Sequence, residues 1–163
     1  MSRIAHGSND DLTSWLSARP RMAMGVGALS DAVYNHSSLP LRIREIARIR
    51  IAEDNECQVC RHTRDAQGEA EGVDEALYEN ILEWRTFSGY SPRERIAAEF
   101  AERFAQDHRG LRDDDDFWAR TKEHYTDEEI VDLGICCSMW LGNGRLMRVL
   151  DVAQSCTLVL HDS

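Results

Sequence analysis

The sequence predicts an all-α fold: a single compact helical domain of about seven or eight helices spanning residues 1–163. Three observations carry this. Apolar residues recur at helical spacing along almost the whole chain, no run of five or more residues alternates as a half-buried strand would, and two capping boxes mark helix starts. A chain of 163 residues, 42% of them hydrophobic, is long enough for one well-buried core and short for two.

Met22, Val26, Leu29 and Val33 stand at i, i+4, i+7 and i+11, one face of a first helix that runs to the turn at Asn35–Leu39. Pro40 opens a second helix, Leu41 to Glu53, whose charged and apolar residues are scattered around its circumference. That pattern implies burial on several sides. Val73 to Trp84 reads as a shorter helix. Ser91-Pro92-Arg93-Glu94 is a capping box with proline at the first helical position, followed by the stripe Ile96, Ala97, Phe100, Ala101, Phe104 and Ala105. Asp113 to Tyr125 is another short helix, and the run Asp113–Asp116 suits its N-terminus, where carboxylates cap free amides; it lacks the alternating ligands and glycine of an EF-hand. Thr126-Asp127-Glu128-Glu129 repeats the capping box before Ile130, Leu133, Gly134, Cys137 and Leu141, continuing toward Leu150. Gly142-Asn143-Gly144 follows a helical pattern, which suggests a helix break or close packing and not a phosphate loop. His108 and His124 are expected near helix C-termini, and Trp84 and Trp140 in the core or an interface.

Nineteen basic against twenty-nine acidic side chains leave a formal charge of −10, which repels phosphate backbones and anionic lipid surfaces. Nucleic-acid and membrane-surface partners are therefore not expected. No stretch approaches the roughly 18 apolar residues of a membrane span, and the first residues lack the order of a signal peptide, so the reading is cytoplasmic. Five cysteines in a reducing compartment argue against a structural disulfide framework.

Cys57-Gln58-Val59-Cys60 carries the chemistry. Two thiols three residues apart on a helix lie about 60° apart on one face and can cycle between dithiol and disulfide. Arg61 and Arg64 would share that face, with His62 about 200° from Cys60 and pointing away. Asp54 and Glu56 precede the pair as candidate caps, and a first-turn position beside guanidinium groups favours thiolate, more so for Cys57. The plain alternative is two buried apolar thiols. A zinc site would need a fourth ligand beyond Cys57, Cys60 and His62, so neither a metal nor a bound cofactor is expected. Cys136 and Cys137 lie on a core stripe.

Glu45 shares a stripe with Leu41, Ile49 and Ala52, where burial would raise its pKa toward that of a usable proton acceptor; an ion pair with Arg48 one turn on is the plain alternative.

Glu45, eleven intervening residues and then Cys57-x-x-Cys60, with Leu41-Arg-Ile-Arg-Glu45-Ile-Ala-Arg48 before and Cys60-Arg-His-Thr-Arg-Asp-Ala66 after, resembles the alkyl hydroperoxidase D-like (AhpD-like) branch of the carboxymuconolactone decarboxylase superfamily. The resemblance is specific over residues 41–66 and looser to about Leu150. It implies an all-helical fold assembled as a trimer or hexamer. It also implies a peroxidase in which Cys60 attacks a hydroperoxide, Cys57 resolves the sulfenic acid, Glu45 anchors a proton relay, and an external thiol reductant regenerates the dithiol. Two positions depart from the family pattern: Arg64 and Val59 stand where it has histidines. Arginine can stabilise a thiolate but cannot relay a proton, and His62 could substitute only if the helix is irregular. Two alternatives stay open: a low-turnover redox-sensing or binding oligomer, and a decarboxylase using Arg44, Arg48 and His62.

Overall fold

Helix α2 (Leu41–Asp54) is the post around which the other elements pack. Ile43, Ile46, Ala47, Ile49, Ile51 and Ala52 are buried on it, and so are Glu45, Arg48 and Arg50. A helix apolar on one stripe only would sit at the surface; one buried all round is a core helix, and each charge it carries needs a partner inside. Arg50 meets Asp54 (3.0 Å) and Glu102 (3.1 Å), Arg42 meets Glu94 (2.6 Å), and Arg44 Nη1 donates to the carbonyls of Val33 (3.3 Å) and Tyr34 (2.9 Å). The arginine cluster of the sequence is thus absorbed by acids and carbonyls.

In this computed structural model, which describes residues 2–161, eight α-helices and two 3-10 turns form the fold, and Met1, Asp162 and Ser163 of the expected 1–163 domain lie outside the described residues. α5 (Pro92–Gln106) and α8 (Asp127–Leu150) flank α2. Both capping boxes form as expected: the Ser91 hydroxyl accepts from Glu94 N (3.2 Å) and the Thr126 hydroxyl from Glu129 N (3.2 Å), with the glutamates reaching back. Ile96, Ala97, Phe100 and Ala101 of the expected α5 stripe are buried, and Phe104 and Ala105 pack at its edge.

α1 (Pro20–Asn35) keeps part of the expected face: Val33 is buried and Val26 turns inward as expected, but Met22 and Leu29 are exposed, and Ser30 and Tyr34 turn inward in their place. The Val73–Trp84 segment is a short α4 (Glu75–Glu79) and a 3-10 turn (Ile81–Glu83). α6 (His108–Asp113) and α7 (Asp115–Lys122) meet at Asp114, which caps α7 by accepting from Phe117 N (2.8 Å). His108 begins α6 instead of ending α5, whereas His124 does follow a helix C-terminus. α8 passes unbroken through Gly142 and Gly144. Trp84 and Trp140 are both core residues.

After α8 the chain turns at Asp151 (φ 52°) and runs back to pair β2 (Val159–Leu160) in parallel with β1 (Arg64–Asp65). The N-terminal segment is tied to this return by Ala153 N donating to Ser8 O (2.8 Å) and Ser155 N to Asn9 O (3.0 Å). No described helix is long and apolar enough to cross a membrane.

Candidate active site

The cysteine pair does not lie on a continuous helix. α2 ends at Asp54; Asn55 and Glu56 turn the chain, Glu56 with φ 49°, and Cys57 enters with extended backbone as the N-cap of α3 (Gln58–His62). Asp54 closes α2 against Arg50 and Gln106, and Glu56 is an exposed turn residue, so neither caps α3. Cys57 and Cys60 are joined as a disulfide with Cα atoms 5.3 Å apart.

Five residues are too few for a self-sustaining helix, because nucleation is unfavourable and most carbonyls of so short a helix lack internal partners. Side chains supply those partners. His62 Nδ1 lies 2.8 Å from Gln58 O, Thr63 Oγ1 donates to Val59 O (2.8 Å), Arg64 Nη1 to Arg61 O (2.8 Å), and Arg48 Nη1 to Cys60 O. Thr63 O receives both Arg48 Nη2 (2.9 Å) and Arg64 Nη1 (2.9 Å).

The two sulfurs sit in different surroundings. Cys57 is fully buried beside Val59 and Ala153, with Cys156 and Leu158 at the edge of that cluster. Cys60 is partly exposed and lines a cavity of 310 Å³ walled by Trp15, Val26, Tyr34, Met139, Trp140 and Met147, together with Arg48. Gly144 makes room for it: a Cβ there would lie 2.7 Å from Asn55 Nδ2 and 3.4 Å from Cys60 Sγ. Gly144 is therefore a close-packing glycine. Asn55 is itself fixed, donating to Trp140 O (3.1 Å) and Leu141 O (3.2 Å) and accepting from Arg145 Nε (3.1 Å).

Glu45 and Arg48, each 2% exposed, form a forked pair: Arg48 Nε donates to Glu45 Oε1 (2.8 Å) and Nη2 to Oε2 (2.7 Å), and Tyr78 Oη donates to Oε2 (2.7 Å). Burial pushes the carboxyl up, but the Arg48 charge and these hydrogen bonds outweigh it and hold Glu45 below the usual carboxylate range. The expected raised pKa is thus corrected: the ion pair prevails, and Glu45 is a fixed anion. Burial and the Glu45 charge push the Tyr78 hydroxyl up.

Arg64 is not on the cysteine helix. Its guanidinium binds Glu75 (2.8 and 3.0 Å) and stacks 3.9 Å from the centre of the Tyr78 ring. Arg61 pairs with Glu53 (2.7 Å), and His62 is exposed. Arg44 and Arg48, nominated for a decarboxylase, are occupied by carbonyls and Glu45. Cys136 is pushed up to about 12, first by burial and then by Asp132, and burial raises Cys137 well above the thiol range, so both are packing residues. Sequence reasoning missed the cavity wall from the N-terminal segment, Asn55, Tyr78, and Arg48 as the partner of the Cys60 carbonyl; only the Glu45–Arg48 spacing signalled any of these.

No family model matches the chain. An uncharacterised Bacillus subtilis protein, YdfG, is 33% identical over 99 residues, which are 60% of this chain and 65% of that one. The match therefore spans slightly less than two thirds of that relative. A solved protein of unknown function from Agrobacterium tumefaciens, with a suggested AhpD role in antioxidant defence, superposes at TM-score 0.75 with 20% identity, covering 96% of this chain and 98% of its own. The chain has the AhpD-like fold. The debrominase Bmp8 also shares the fold, at TM-score 0.71 and 16% identity over 85% of this chain and 74% of that one. A cysteine-to-alanine variant of Bmp8 in complex with 2,3,4-tribromopyrrole matches at TM-score 0.73 and 15% identity, over 87% and 75% of the two chains.

Proposed function

We infer that this AhpD-like chain is a thiol-dependent peroxidase-like oxidoreductase that reduces hydroperoxides through Cys60 and Cys57. The observation that carries this reading is the asymmetry of the pair: Cys60 lines the cavity, while Cys57 is sealed behind it. The Cys60 thiol ionises to solvent and its thiolate attacks the distal peroxide oxygen; the S–O bond forms as the O–O bond breaks, and the alkoxide that leaves takes a proton back from solvent to become the alcohol. The Cys57 sulfur then attacks the Cys60 sulfenic acid, forming the S–S bond and releasing water. An external thiol reductant supplies two electrons and two protons to restore the dithiol. This order assigns attack to Cys60 in spite of the dipole expectation for Cys57, which as the N-cap residue lies outside the helix.

Glu45 serves this site by holding Arg48, and Arg64 and His62 by holding α3 carbonyls; the chemistry needs no bound cofactor. A homo-oligomer in the cytoplasm is part of the proposal. Its support is a stripe of exposed apolar residues along α8, Val131, Ile135, Leu146 and Val149, which continuous solvent would leave unfavourably wet.

A second reading, the same thiols responding to oxidants at low turnover, is favoured by Glu45 being locked in its ion pair and not free to exchange protons. The test is thiol quantification by mass spectrometry before and after one equivalent of hydroperoxide, followed by steady-state turnover with several reductants. A Cys57–Cys60 disulfide is expected to form in the wild type, and a sulfenic acid on Cys60 to accumulate in Cys57→Ser. Turnover separates enzyme from sensor, bromide release from 2,3,4-tribromopyrrole would point instead to debromination, and thiols that stay unreactive would overturn both thiol readings.

A further inference from the structure

We propose that Arg48 is a positioning residue for Cys60, clamping the end of α3 so that the sulfur is held at the cavity wall. This deepens the thiol reading and rests on it. Three observations converge. Arg48 comes from α2, three residues after Glu45, yet its guanidinium reaches twelve residues ahead to Cys60 O and fifteen to Thr63 O. One edge of its fork, Nε and Nη2, is occupied by Glu45, while Nη1 faces Cys60, so the cation is fixed between the carboxylate and the thiol-bearing turn. The guanidinium also lines the same cavity as Cys60.

The physical reasoning follows from the length of α3. A five-residue helix cannot hold its own geometry, so the direction of the Cys60 side chain is set by whatever binds the backbone around it. His62, Thr63 and Arg64 are neighbours in sequence and move with the turn; Arg48 alone among the partners of those carbonyls belongs to the rigid central helix. It therefore transmits the position of α2 to Cys60. Its planar fork suits the task, because bonding a carboxylate on one edge and carbonyls on the other requires several donors in fixed directions, which lysine lacks. A permanent cation beside the turn also favours the Cys60 thiolate over the thiol. Glu45 in this arrangement is the counter-anchor: with Tyr78 it fixes Arg48, and its influence on Cys60 passes through the guanidinium.

The experiment uses the full chain and no hydroperoxide, so its outcome is independent of whether the peroxidase reading holds. Two quantities are measured: the rate at which iodoacetamide alkylates Cys60 at pH 7 in a Cys57→Ser background, and the equilibrium of the Cys57–Cys60 disulfide with dithiothreitol redox buffers. The main variant is Glu45→Gln with Arg48→Met, which removes both buried charges together and so avoids stranding one of them. Alkylation is expected to slow about tenfold, and the disulfide to become about tenfold harder to reduce, equivalent to about 30 mV for a two-electron couple. Arg48→Lys, which keeps the charge and loses the fork, should move both quantities in the same direction by about threefold. Arg48→Lys also serves if the double variant fails to fold. Unchanged alkylation and unchanged redox equilibrium in a folded variant of either kind would overturn the proposal.

Discussion

Replacing Arg48 by methionine alone should reverse the way acid affects this protein's stability. The substitution conserves volume but leaves the Glu45 carboxylate, 2% exposed, with the Tyr78 hydroxyl as its remaining hydrogen-bond donor from the present set. Breaking a buried pair on one side costs about 3–5 kcal/mol. At about 2–4 °C per kcal/mol for a chain of this size, the melting temperature at pH 7 should drop by about 6–20 °C. In the wild type Glu45 is held below its unfolded pKa, so its contribution is present above the ordinary carboxylate range and is lost as pH falls through the lower folded value. Without Arg48, burial is the dominant influence and the folded pKa lies above the unfolded one. The folded variant then binds the extra proton, and its stability recovers as pH falls through that raised value. Thermal melts of both proteins at pH 7 and pH 5 test this: the gap between them should narrow on acidification. A variant melting within about 3 °C of the wild type at pH 7, or a gap that widens toward pH 5, would refute the reasoning.

Three further outcomes are expected. Gly144→Ala places a methyl 2.7 Å from the pinned Asn55 amide; overpacking of about 1–3 kcal/mol exceeds the roughly 1 kcal/mol gained in helix propensity, so urea unfolding should show a net loss of about 1 kcal/mol. Arg64→Ala removes contacts to Glu75, Tyr78 and the carbonyls of Arg61 and Thr63, but Arg64 is not itself a residue of the cavity wall, so hydroperoxide turnover should fall only about two- to threefold, in contrast to its abolition in Cys60→Ser. Val131→Asp with Ile135→Asp puts charges on the exposed stripe of α8 and should shift sedimentation toward a smaller species, with the far-ultraviolet circular dichroism of the helices retained.

The helical architecture was legible because its signals are local. Each capping box occupies four residues, and the apolar stripe of α5 follows from spacing alone. The break before the cysteine helix is hard to see for a reason that is also local: the left-handed residue is Glu56, a type that rarely adopts that conformation, while its turn-forming neighbour Asn55 stays in the right-handed region. Helical spacing puts Arg64 on the thiol face only if the helix continues, and it stops at His62. The burial of Glu45 is legible in its apolar stripe, but its pKa depends on a balance between burial and a charge three residues away whose distance the sequence does not contain. The face of α1 is only half legible, at Val26 and Val33, because Tyr34 and Ser30 also face a cavity, and a cavity wall does not announce itself as an apolar stripe. The cavity is illegible for the same reason, since Trp15 and Trp140 come to line one space only when the chain is folded.

The enclosure of the thiols also has an order in time. Cys57 and Cys60 are synthesised before α8, and before Ala153 and Leu158 on the return segment that closes over them. Until that segment docks, Cys57 has lost none of its access to solvent from that side, and a growing or refolding chain presents an unguarded pair of thiols to any oxidant. Docking ends that exposure for Cys57 and leaves Cys60 facing the cavity. Docking of the return segment therefore converts an open dithiol into one in which Cys60 alone faces the cavity.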